Sequence, residues 1–138
     1  MQASVESVLG LNETIRNDLD LIKLGAKGVK KGQIKRLGEA MCLPNTVLAS
    51  LLAINVRTIQ RQPEGKPFDR QISDRAIKLA QLTARGIDVF GNGAEFCAWL
   101  QTPSMALGNK TPLSLLVSVV GVDLVGDVIG RIEYGVYS

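Results

Sequence analysis

The stretch NVRTIQR holds Asn55, Arg57, Thr58, Gln60 and Arg61, side chains of the kinds that read base edges and clamp phosphates. Amides and hydroxyls bond to base edges, and a guanidinium pairs with guanine or with a phosphate oxygen. Upstream, Lys23, Lys27, Lys30, Lys31, Lys35 and Arg36 follow one another with no acid between them. Such a run suits a phosphate-facing surface, and Lys27, Lys30 and Lys31 are its candidate backbone contacts. A solvated lysine-rich loop is the alternative for that run, and for NVRTIQR the alternative is an ordinary surface helix, since a short helix with two arginines is common on any surface.

Catalytic chemistry has less to work with. The chain has no histidine and two cysteines, Cys42 and Cys97, so the usual transition-metal ligand sets and most nucleophile and base pairs are missing. The expectation is no enzyme, no metal and no cofactor. The cysteines, 55 positions apart, could form a disulfide. No leader with a basic start and an apolar stretch precedes them, so the sequence reads as buried free thiols in a reducing cytoplasm.

The elements that must position these residues follow from composition and pattern. At 138 residues, with 46% hydrophobic and 21% charged residues, the chain suits one substantial core or two minimal domains sharing an interface. Aromatics are 4%, so aliphatic packing dominates. The most apolar run, Pro112 to Val122, is followed by Asp123 and Asp127 and is too short for a bilayer, which takes about 20 apolar residues. Charge is uneven. Met1 to Ile72 carries 11 lysines and arginines against 7 acids, and Ser73 to Ser138 carries 5 against 6.

Ile15, Leu19 and Ile22 recur at helical spacing between Asn12, a candidate N-cap, and Gly25, a candidate stop. Ile34, Leu37 and Met41 mark a second face; Pro44 and Asn45 start a helix holding Val47, Leu48, Leu51 and Leu52; and Asn55 starts a short third one. The last two are close enough for a helix-turn-helix, with Ile54 and Ile59 inward and small Ala49 and Ala53 letting the helices approach. The breakers of PEGKPFD, Pro63 to Asp69, suggest a boundary. Ser73 is the expected cap of a helix running to Gly91, a further helix covers about Ala94 to Leu100, Thr111 and Pro112 are a start signal, and a last helix covers Val122 to Glu133. The fold class is therefore all-α. It comprises N-terminal helices over 1–32 with a possible dimerisation role, a Cro/cI-like helix-turn-helix region over 33–68, and a small helical domain over 69–138.

From about Leu37 onward the chain resembles the MbcA/ParS/Xre family of antitoxins, in particular the Xre type paired with RES-domain toxins. The match is carried by Thr58 and Arg61, by Ser73, Asp74 and Arg75, by Phe90 and Gly91, and by Trp99, Leu100 and Pro103. It continues through Leu107, Gly108, Thr111 and Pro112 to the closing RIEYGVYS. Asn109 stands where relatives often carry a second glycine, a left-handed position that asparagine tolerates. The resemblance implies an all-helical homodimer that represses its own operon through the helix-turn-helix. It also implies a 69–138 domain that binds a toxin acting on NAD or transferring ADP-ribose.

In that reading operator DNA and the toxin are the partners. Phe90 and Trp99 are core anchors, and Arg131, Glu133, Tyr134, Gly135, Val136, Tyr137 and Ser138 are the toxin contacts, since tyrosines near a terminus suit an interface. The alternative is a stand-alone Cro-type repressor whose C-terminal domain dimerises or senses a ligand.

Overall fold

Polar caps decide where most of the helices begin. Ser4, Asn17, Asn55, Asp69, Asn92, Thr111 and Ser118 each sit in extended backbone and accept a hydrogen bond from an N–H of the turn that follows. Those are donors that the helical ladder leaves unpaired. The computed structural model describes residues 2–135. Within them lie α1 (Val5–Leu9), α2 (Asp18–Lys27), α3 (Lys31–Met41), α4 (Asn45–Leu51), α5 (Val56–Arg61), α6 (Arg70–Phe90), α7 (Gly93–Leu100), α8 (Pro112–Leu115) and α9 (Val119–Glu133). A 3-10 turn, Met105–Leu107, precedes α8. Among the described residues the one β-type pairing is an isolated bridge between Ser104 and Lys110. The fold is all-α.

The longest helix, α6, is the axis. It buries Ile72, Ala76, Ile77, Leu79, Ala80 and Leu82, and α1, α2, α3, α7 and α9 all pack against it. The result is one continuous core that includes Leu9, Ile34, Leu37, Leu48, Phe96, Leu100 and Ile129. Burying a large aliphatic side chain fully is worth roughly 1.5–3 kcal/mol. Two glycines set the closest approaches. A Cβ at Gly25 of α2 would meet the Asp74 carboxylate of α6, and one at Gly86 of α6 would meet the ring of Phe96 of α7. Phe96 is fully buried. Half-buried Phe90 and Trp99 flank it, their ring centroids 6.3 and 6.4 Å from its own and 5.1 Å from each other.

Several elements match the sequence reading: α3 buries Ile34, Leu37 and Met41, Gly91 ends α6 in left-handed backbone, Thr111 and Pro112 open α8, and Asn109 has φ 63°. Others do not. The first long helix is capped by Asn17 rather than Asn12 and runs through Gly25 to Lys27, because Gly25 is spent on contact with α6 and not on a stop. Leu19 and Ile22 are 64% and 54% exposed, while Leu24 and Gly25 form the buried face. Ser73 is not a cap, since Asp69 has that place. Instead it is fully buried, its Oγ accepting the Val29 N–H at 2.9 Å and donating to the Phe68 carbonyl at 3.3 Å. The final helix starts at Val119, capped by Ser118.

The cysteines also correct the reading. Cys42 and Cys97 are joined in a disulfide, their Cα atoms 6.0 Å apart, not held as free thiols. Cys42 occupies the left-handed C-cap of α3, and α3 packs on α7. This brings a residue at the end of one helix within bridging range of a residue inside the other, a meeting that a spacing of 55 positions does not reveal. No helix among the described residues is long and apolar enough to cross a membrane.

Replacing Gly86 with alanine forces the Phe96 ring aside in a filled core. The expected result is a loss of about 1–3 kcal/mol, seen as a lower urea midpoint at unchanged slope. Gly93→Ala, where nothing lies within 4 Å of an added Cβ, is the control and leaves the midpoint unchanged or raised.

Candidate nucleic-acid interface and C-terminal face

The turn between α4 and α5 is Leu52 to Asn55. Leu48, Ala49, Leu51 and Leu52 bury the inner side of α4, and Ile59 buries that of α5. The chain reverses at Ala53, whose φ of 59° is left-handed, a conformation costing an L-residue roughly 1–2 kcal/mol. Its N–H donates to the Ser50 carbonyl at 3.2 Å, and that of Ile54 donates to Ala49 at 3.0 Å. Packing of Leu52 and half-buried Ile54 on either side holds the strained residue in place.

Both ends of α5 are fastened from within. At its N-terminus the Asn55 Oδ1 accepts the Arg57 N–H at 2.9 Å. At its C-terminus the Lys31 Nζ, from α3, donates to the Gln60 carbonyl at 2.8 Å, placing a cation at the negative end of the helix dipole. Between them Arg57, Thr58, Gln60 and Arg61 are exposed, and no side-chain hydrogen bond or ion pair among the described residues uses them. Thus the five candidates share one short helix and its cap, with Arg57, Thr58, Gln60 and Arg61 facing solvent.

The three candidate lysines separate. Lys31 reaches α5. Lys27 lies 3.6 Å from Glu13 in an exposed ion pair. Lys30 is half-buried, and its backbone N–H donates to Gln33 Oε1 at 2.8 Å. The tie between Lys31 and Gln60 joins residues 29 apart and has no signature in the sequence.

At the other end of the chain Arg131 is exposed, Tyr134 is 79% exposed, and Gly135 has φ 73°. The Glu133 carboxylate is engaged: Arg85 of α6 donates to its Oε1 from Nη2 at 3.0 Å and from Nε at 3.3 Å. That pair secures the last turn of α9. Val136, Tyr137 and Ser138 lie outside the described residues. A second exposed surface was not anticipated. Val117, Val119, Val120 and Leu124 stand out around the start of α9. A run of valines carries strand propensity and gives no sign in the sequence of an exposed helical surface.

Two helices at a four-residue turn, with the second presenting arginines and amides outward, define a helix-turn-helix protein, here carrying a helical C-terminal segment. Comparison with known proteins resolves this further. Residues 20–81 match the antitoxin Xre-like helix-turn-helix domain, and residues 85–135 match the antitoxin Xre/MbcA/ParS C-terminal toxin-binding domain. The chain belongs to the Xre/MbcA/ParS antitoxin family.

Among curated relatives it is similar to an antitoxin Xre of Yersinia enterocolitica, 34% identical over 59% of this chain and 55% of that protein. A Prs ADP-ribosylating antitoxin of a Sphingobium species is 25% identical over 87% of this chain and 82% of the relative. An antitoxin Xre of Photorhabdus laumondii is 31% identical over 64% and 61%. The match thus spans little more than half the length of the Yersinia protein.

Because Asn55 caps α5 as well as facing outward, its loss has a stability signature. Asn55→Ala is expected to cost about 1 kcal/mol, read as a lower melting temperature, whereas Asn55→Asp keeps the acceptor and the melting temperature.

Proposed function

We propose that this chain is the antitoxin of a toxin–antitoxin pair. It holds operator DNA with α5, represses its own operon by doing so, and silences a RES-domain toxin with its C-terminal half. It works in the cytoplasm as a homodimer within a larger complex with the toxin. The observation that carries the reading is the match of residues 85–135 to a toxin-binding domain, on a chain whose other half is a helix-turn-helix with Arg57 and Arg61 exposed on its second helix. The name of the Sphingobium relative, Prs ADP-ribosylating antitoxin, favours a partner that transfers ADP-ribose.

The mechanism is one of occupation and not of chemistry. Arg57 and Arg61 reach base edges or phosphates in the major groove while Thr58 and Gln60 supply neutral hydrogen bonds. Lys27, Lys30 and Lys31 add charge toward the DNA backbone. Lys31 also fixes the helix that does the reading. On the toxin, a pocket for a large anionic cofactor is blocked most simply by a terminus that enters it. Here Arg85 holds Glu133 and with it the end of α9, and the segment from Tyr134 onward brings two tyrosines to the toxin.

Two outcomes test this. Arg57→Ala and Arg61→Ala are each expected to weaken operator binding by roughly 1 to 3 kcal/mol where a base is read, with helicity by circular dichroism intact. Unchanged gel shifts for both variants would move the DNA surface elsewhere.

Deleting Gly135 to Ser138 is expected to relieve inhibition of the toxin's NAD consumption more than it weakens capture of the toxin, with DNA binding retained. A truncated chain that inhibits fully at equal concentration would leave inhibition to the helical face. A full chain that binds DNA and captures no RES-domain toxin would mean a stand-alone repressor.

A further inference from the structure

The bridge between Cys42 and Cys97 joins two elements of unequal firmness. Cys97 is 6% exposed and lies inside α7 beside Phe96, which with Leu100 is fully buried. The core fixes that end whether or not the bridge is closed. Cys42 is exposed and stands at the end of α3 in left-handed backbone, φ 59°, a conformation that L-residues disfavour. Leu43 and Pro44 alone separate it from α4, the first helix of the helix-turn-helix.

The fold accommodates both oxidation states of the pair. With α3 packed on α7, the two Cα atoms are 6.0 Å apart and within bridging range. The Ala40 carbonyl lies 3.5 Å from Cys97 Sγ, so a reduced Cys97 donates its S–H there and leaves no buried donor unpaired. A reduced Cys42 is hydrated. Its exposure also opens the bridge to attack by an external thiolate, and exposed bridges are the labile ones.

We propose that Cys42 and Cys97 form a redox switch on operator binding. Closed, the bridge clamps the corner between α3 and α4 to α7. Open, it frees that corner, and α4 and α5, seven and six residues long, are too short to keep their places unaided. The C-terminal helices stay, because Phe96, Leu100 and Ile129 anchor them in the core.

Closing consumes hydrogen peroxide. The Cys42 thiolate attacks one peroxide oxygen and the O–O bond breaks, giving a sulfenic acid and a hydroxide that takes up the thiol's proton as water. The Cys97 thiol then displaces the sulfenic oxygen as a second water while the S–S bond forms. Opening consumes a dithiol, whose thiolate attacks Cys42 Sγ. Cys97 leaves and takes a proton, and the second sulfur of the dithiol closes on the first to release Cys42. In the reducing cytoplasm proposed above the pair rests open, so peroxide tightens repression. The switch rests on the reading of α5 as the helix that holds DNA.

The test compares the full-length chain after hydrogen peroxide, after dithiothreitol, and as the double variant Cys42→Ser with Cys97→Ser. The DNA is a fragment from upstream of its own coding sequence. The peroxide-treated chain is expected to lose both free thiols and to bind at least about threefold tighter than the reduced chain, whose competent fraction is smaller. The double variant is expected to bind as the reduced chain does and to respond to neither reagent. Hydrogen exchange is expected to be faster in α4 and α5 of the reduced chain and unchanged in α9. Free thiols that persist after peroxide would overturn the switch. So would equal affinity in the two states, equal exchange in α4 and α5, or a double variant that still responds. Faster exchange on reduction with no DNA binding in either state would instead remove the reading of α5, and the output of the switch with it.

Discussion

The apolar face of α6 is the constraint from which the rest follows. Helices α1, α2, α3, α7 and α9 bury themselves on it, and helices this short are marginal alone in water. The helix-turn-helix and the C-terminal segment therefore do not meet across a flexible linker. The two ranges matched by family models, 20–81 and 85–135, adjoin within α6 itself. Residues of one helix serve both: Ser73 pins the backbone of Val29 and Phe68 beneath the helix-turn-helix, and Gly86 admits Phe96 of the C-terminal segment.

Around that core the polar groups act mainly by fixing positions. The contact from Lys31 to the Gln60 carbonyl and the cap from Asn55 hold a six-residue helix at both ends. Such a helix has too few internal bonds to hold itself. The outward face of α5 is thereby preorganised, so little ordering of its backbone is left for the moment of binding. The pair between Lys27 and Glu13 is of another kind. Both side chains are well exposed, and an exposed pair contributes at most about 1 kcal/mol, so Lys27 can exchange Glu13 for a phosphate at little cost.

Much of this was legible in the sequence because it is local. Period, caps and breakers gave α3, α4, α5, the end of α6 and the start of α8, and the exposed candidates on α5 follow from Ile54 and Ile59 turning inward. Where the reading failed, a long-range contact had overruled a local signal. Gly25 reads as a stop but is a point of close approach to Asp74. Ser73 reads as a cap but is a buried tie between segments. Leu19 and Ile22 read as a core face, yet the side of α2 that meets α6 is the one with Leu24 and Gly25. Phe96, the most deeply buried ring, lies outside the recognisable motifs that hold Phe90 and Trp99. The bond between Glu133 and Arg85 has no trace in spacing, since it joins residues that only the folded chain brings together.

The disulfide has a further effect on the molecule as a connected object. Cys42 and Cys97 close a ring of chain that contains α4, α5 and α6, and the exposed Pro63 to Pro67 segment lies on that ring. A single cut by a protease in that segment severs the main chain and leaves both pieces covalently tied. Nicked molecules therefore run as one species until a thiol reductant opens the bridge, and the helix-turn-helix outlasts the first break in its own backbone.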